Sequence, residues 1–118
     1  MILDMDTDDI PAGKQGRNLL QVTANSAKNH YLCSPTGNCA LWLFLRNHNH
    51  LRLVLAGNAV GVEVGKRATG GMHDLALRRH MSGSQEEYTV YRWAGSEYKE
   101  AESCMQDSDS GNVGHCPF

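Results

Sequence analysis

This chain lacks any long apolar run, any heptad pattern and any internal repeat. Its longest unbroken apolar stretch covers residues 40–45, far short of the ~20 residues that a membrane-spanning helix needs. Without heptads or repeats it reads as neither a coiled coil nor a solenoid or propeller. A basic excess is missing too. The chain has 11 Lys and Arg against 13 Asp and Glu, a formal charge of −2, which argues against a general nucleic-acid partner. No G-x-G-x-x-G or G-x-S-x-G motif is present, so neither a dinucleotide site nor a serine-hydrolase elbow is announced. The opening residues 1–10 carry Asp4, Asp6, Asp8 and Asp9, where a secretory leader has a basic n-region and an apolar stretch. Export therefore implies a leader lost from this chain; the alternative is a cytoplasmic protein.

What the chain does have is four cysteines in two close pairs, Cys33 with Cys39 and Cys104 with Cys116. The segments between them, SPTGN and MQDSDSGNVGH, are rich in residues that turn a chain back on itself. Thiols flanking a turn come close enough to bridge. Two local disulfides are expected, and with them a periplasmic or secreted location. Closing loops this short contributes roughly 2–3 kcal/mol each in chain-entropy terms. Cysteine counting alone leaves other connectivities open, as well as four reduced thiols inside the cell. Zinc is disfavoured, because neither spacing matches the tight knuckle of structural zinc sites.

At 118 residues the chain reads as a single domain, 1–118, with residues 1–16 a flexible acidic N-terminal segment. Short segments rich in Val, Leu, Tyr and Trp alternate with Gly, Asn and Ser. They predict strands over 18–24, 40–46, 51–56, 60–64, 74–80, 87–93 and 96–103, and a shorter one over 30–33. The expected fold is all-β, an antiparallel β-sandwich or small barrel of about seven or eight strands. Two hairpins stand out. In ALWLFLR–NHNH–LRLVLA a loop of even length groups Trp42, Phe44, Leu53 and Leu55. A three-residue loop groups Leu43, Leu45, Leu51 and Leu53 instead. Both faces are apolar either way, which predicts a central hairpin covered on both sides. In EYTVYRW–AG–SEYKEAES a two-residue loop at Ala94-Gly95 sets Arg92 opposite Glu97 and Tyr91 opposite Tyr98, pairs that stabilise a sheet. Gly70-Gly71 reads as a turn, after which Leu75 and Leu77 point inward while Ala76, Arg78 and His80 line the other face.

Positive charge collects in the middle of the chain. From Arg46 to His80 there are Arg46, Arg52, Lys66, Arg67, Arg78 and Arg79, against Glu63 and Asp74. An acidic partner or an anionic ligand suits such a region. The candidate binding residues are Arg78 and His80, with His48 and His50 in the NHNH turn nearby. They imply a non-enzymatic exported binding module whose partner is a protein or cell-envelope component, such as an inhibitor or adaptor. An exposed edge strand could also pair with a second copy. No cofactor is called for. One alternative is a metal-assisted hydrolase using His48, His50, His73 or His80, since imidazole is a common ligand. Another is a carbohydrate- or anion-binding module that stacks its ligand on Trp42 or Trp93. The aspartate run resembles the start of a calcium loop, but Asp9 and Gln15 stand where the EF-hand pattern needs glycine and glutamate. Ser82, Ser84, His80 and Asp74 are too weakly patterned to announce a triad.

Two blocks, CSPTGNCALWLFLR and HDLALRRHMSGSQEEYTVYRWAGSEYKEAESC, carry a resemblance. The chain resembles uncharacterised bacterial exported small β domains in which a C-x5-C loop leads into an aromatic strand and a Y-R-W-x-G-x-x-Y hairpin ends in cysteine. The resemblance implies export and β structure. It implies no activity and no site residues.

Overall fold

The computed structural model of the protein describes residues 5–14 and 17–107. Eight strands run in order: β1 (Asp6–Ile10), β2 (Leu19–Thr23), β3 (Cys39–Asn47), β4 (His50–Ala59), β5 (Gly61–Thr69), β6 (Met72–Ser82), β7 (Gln85–Trp93) and β8 (Tyr98–Asp107). They form two four-stranded antiparallel sheets, β1-β2-β3-β4 and β5-β6-β7-β8. Each sheet is a simple meander, so neighbours in sequence are neighbours in space. The fold is therefore all-β and two-layered; among the described residues the sheets remain separate ladders, touching through the isolated Gly13–Met72 bridge.

The layers share one core. Leu19, Leu41, Leu43 and Leu45 from the N-terminal sheet cluster with Met72, Leu75, Leu77 and Trp93 from the C-terminal sheet. β4 and β5 are almost one long strand. After Ala59 the chain bends at Val60, whose N–H donates to the Arg78 carbonyl at 2.8 Å. The strand thus leaves one sheet and enters the other. Gly57 permits close approach of the layers here, since a Cβ on it would stand 2.6 Å from the Leu77 side chain. The Cys33–Cys39 disulfide forms as expected. Its loop is docked onto β6 by Asn38, whose Nδ2 donates to the His80 carbonyl at 2.8 Å and whose Oδ1 accepts from the His80 N–H at 2.9 Å. The amide takes the place of a strand neighbour, which is why Asn38 is buried. Cys104 lies in β8, whereas Cys116 falls outside the described residues, so the second expected pairing is not described.

Several sequence expectations change. Asp6–Ile10 is a strand, pairing with β2 from Asp6↔Thr23 to Ile10↔Leu19, where an acidic N-terminal segment was expected. Asp6, Asp8 and Asp9 therefore lie along an extended edge strand and do not wrap a cation; Asp4 and Gln15 fall outside the described residues. Residues His30–Leu32 form a 3-10 turn, not a strand. Cys33 keeps only an isolated bridge to Cys39. In the β3–β4 hairpin the loop shortens to two residues, with Asn47 opposite His50. A bulge then shifts the register, so Leu53 faces Phe44 but Leu55 faces Leu43. Val54 is the extra residue, and it turns inward and is buried. The outer face of this hairpin is not fully covered: Leu51 and Leu53 are about half exposed, at 53% and 49%.

The β7–β8 register also differs from the expected one. Trp93 faces Tyr98 and Arg92 faces Lys99, with a four-residue turn closed by the Ala94 N–H donating to the Glu97 carbonyl. The aromatic pair decides this register. Trp93 and Tyr98 meet edge to face at 5.1 Å, both buried in the core, and the Tyr98 hydroxyl donates to the His73 carbonyl at 2.8 Å. Burying two aromatics outweighs an exposed Arg–Glu pair worth at most about 1 kcal/mol. The β5–β6 turn follows expectation. Gly70 and Gly71 both have positive φ, 59° and 83°, and Thr69 faces Met72.

Candidate functional site: a basic cleft at the tip of the β3–β4 hairpin

Three separate segments meet at one end of the molecule. The β3–β4 tip contributes Arg46, His48, His50 and Arg52, the β1–β2 connection contributes Arg17, and the β7–β8 turn contributes Trp93. Together they line a cleft of about 500 Å³. His48 takes a positive φ of 54° at the turn, a conformation that histidine tolerates better than most residues. That two-residue turn ends the ladder abruptly and leaves both imidazoles exposed. Trp93 forms a buried wall, anchored by Tyr98 behind it. Arg17 follows a tight passage in which Gly13 lies against Met72 and Arg17 itself. Backbone bonds from Lys14 N–H to the Gly71 carbonyl and from His73 N–H to the Ala12 carbonyl tie that passage to β6.

The charge of the cleft is one-sided. Among the described residues no carboxylate lines it. Arg46 is held by Asp9 at 3.0 Å, an exposed pair, while among the described residues Arg17 and Arg52 form no ion pair. Arginine presents a planar fork of donors that matches carboxylate and phosphate oxygens. Two unengaged guanidinium groups beside two imidazoles therefore make a receptor for an anionic group.

The four residues singled out from sequence are not brought together. His48 and His50 line the basic cleft, whereas His80 borders a different hollow with Glu86 and Tyr88. Arg78 lies on the outer face of the C-terminal sheet. There its guanidinium reaches Glu86 at 3.3 Å and Glu63 at 3.8 Å and passes over Gly61, where a Cβ would stand 3.1 Å from it. Its charge is spent within the sheet. Burial first, then the charges of Glu63 and Glu86, push the neighbouring Tyr88 phenol above its ordinary value. His73 faces the Gly65 carbonyl at 2.8 Å. Among the described residues no three His, Cys, Asp or Glu side chains converge as metal ligands, and no helix is long and apolar enough to cross a membrane. Of the two tryptophans considered as platforms, Trp93 lines the cleft. Trp42 lies on the outer face of the N-terminal sheet, opposite Val22 and Ala56. Arg17 was missed because nothing local marks it, and Arg52 was read only as part of the basic middle stretch; only the tertiary fold joins them.

Compared with known proteins, the chain matches no family model, no curated protein and no solved structure.

Proposed function

We propose that the protein is an exported, non-enzymatic binding module that captures an anionic group, phosphate or carboxylate, in the basic cleft. The observation that carries this reading is the lining of the cleft, which combines Arg17, Arg46, Arg52, His48 and His50 with no acid among the described residues. An anionic component of the cell envelope suits such a receptor. The Cys33–Cys39 bridge supports an oxidising compartment, and the same reading makes Cys104 and Cys116 a second cross-link. It also keeps the resemblance to exported small β domains.

The test is calorimetric titration with inorganic phosphate and with polyphosphate, at low and at high salt. Binding should weaken with salt, because screening acts strongly on exposed charges. Arg52→Glu should weaken it by about tenfold or more, as expected for loss of a charge-assisted bond plus a new repulsion. Binding unchanged in Arg52→Glu would contradict the placement. Alkylation of the unfolded, unreduced chain should find no free thiol.

A further inference from the structure

The far end of β4 borders a second cleft, between the layers. The N-terminal sheet covers only part of the core-facing side of β6, β7 and β8. Past Leu77, the rows Leu77↔Thr89↔Ser103 and Arg79↔Glu87 emerge from under β4. The resulting cleft, of about 360 Å³, is lined by Asn58, Arg79, Glu87, Thr89, Tyr91 and Glu100, among others. Its size falls at the small end of ligand pockets, ~300–1,000 Å³.

Its chemistry is unlike that of the basic cleft. Arg79 has a buried Nε with no hydrogen-bond partner, and its nearest carboxylate, Glu87, stands at 3.7 Å. A buried donor left unmade is destabilising, so a ligand that accepts from it gains. Glu87 and Glu100 outnumber the single arginine, and a simple anion would meet both. A simple cation would meet Arg79. The occupant is therefore neutral overall, yet it must both accept from a guanidinium and donate to carboxylates. Thr89, Ser103 and Asn58 add groups that can do either. Tyr91 supplies a ring. Burial first, then Glu100 and Glu87, push its phenol above the ordinary value, with Arg79 pulling the other way, so at neutral pH the ring is uncharged. Vicinal hydroxyls fit the arginine fork and the carboxylates, and an aliphatic C–H face fits the aromatic ring.

We infer that the interlayer cleft is a saccharide site, holding a neutral pyranose through Arg79, Glu87, Glu100 and the Tyr91 ring. It is independent of the anion reading, since the two clefts share no lining residue.

The experiment is a two-dimensional amide NMR titration of the native chain with maltose, cellobiose and lactose, each alone. At least one should give saturable shifts centred on Thr89, Tyr91 and Ser103. Arg79→Met, which keeps the aliphatic stem, should weaken that binding roughly tenfold or more. Ser103→Trp, at an exposed position, should block it without touching the core. Unchanged amide shifts away from the cleft in each variant report independently that the fold is intact. No saturable shift from any of the three sugars would overturn the inference. Shifts centred elsewhere, unaltered affinity in both variants, or saturation of the cleft by spermidine in place of sugar would do the same.

Discussion

The two sheets have the same topology and opposite outer faces. On the N-terminal sheet the outward rows Leu20↔Phe44↔Leu53 and Val22↔Trp42↔Ala56 are apolar across β2, β3 and β4 and end on β1 at Asp9 and Thr7, with the Asp9–Arg46 pair at the rim. On the C-terminal sheet Ala76 and Val90 are buried on the outward side beneath a lattice of charges. Arg92 bridges Asp74 at 3.3 Å and Glu102 at 2.8 Å, and Arg78 bridges Glu63 and Glu86. Long charged side chains cover apolar surface while keeping their ends hydrated. The C-terminal sheet thus closes its own outer face, and the N-terminal sheet does not. Both depend on the same core between them, and the two clefts form where that core stops, at the two ends of β4.

The largest effects should come from the shared core. Leu43→Ala and Leu75→Ala remove fully buried side chains from opposite layers, and each should cost about 3 kcal/mol. Urea unfolding should stay a single transition in both variants. Two separated transitions would break the idea of one core. Next comes the charged lattice. Asp74 is buried and also accepts from the Thr69 hydroxyl at 3.3 Å; Asp74→Ala should cost about 2 kcal/mol by removing the acceptor of both Thr69 and Arg92, which keeps only Glu102. Mutating Cys33 and Cys39 together to serine should cost about 2 kcal/mol, the chain-entropy value for so short a loop, read from the urea midpoint.

Tyr98→Phe sharpens the comparison through pH. Burial, then the charge of Asp74, push the Tyr98 phenol well above its ordinary 10.0. The folded state keeps a proton that the unfolded chain releases. This contribution is whole below pH 10.0 and is lost as pH rises above it. Tyr98→Phe should cost about 1 kcal/mol at neutral pH, through the lost bond to His73, and should flatten the alkaline fall in stability. The smallest effect belongs to the open face. Leu53→Thr should change stability by only about 0.5 kcal/mol while lowering the binding of a hydrophobic dye. A loss as large as that in Leu43→Ala would mean the outer face is as tightly packed as the core.

Much of the fold was legible in the chain. The alternation around Leu75 and Leu77, the Gly70-Gly71 turn and the Cys33–Cys39 loop each follow from local chemistry. The rest needed tertiary structure. In LRLVLAG nothing marks Val54 as a bulge, yet one inserted residue reverses which leucines face inward. The β7–β8 register looked settled by Arg92 and Glu97 until burial of Trp93 against Tyr98 entered the balance. Arg78 and His80 were legible as neighbours on one strand face, but the acidic partners of Arg78, Glu63 and Glu86, arrive from adjacent strands. The basic cleft was half visible, as His48 and His50; Arg17 joins it from a separate connection.

The most direct test of the central claim is an amide and indole NMR titration of the native chain with inorganic phosphate. The account predicts saturable shifts at His48, His50, Arg52 and the Trp93 indole, with Arg78 and His80 unmoved. Shifts centred on Arg78 and His80, or none at the β3–β4 tip, would contradict it.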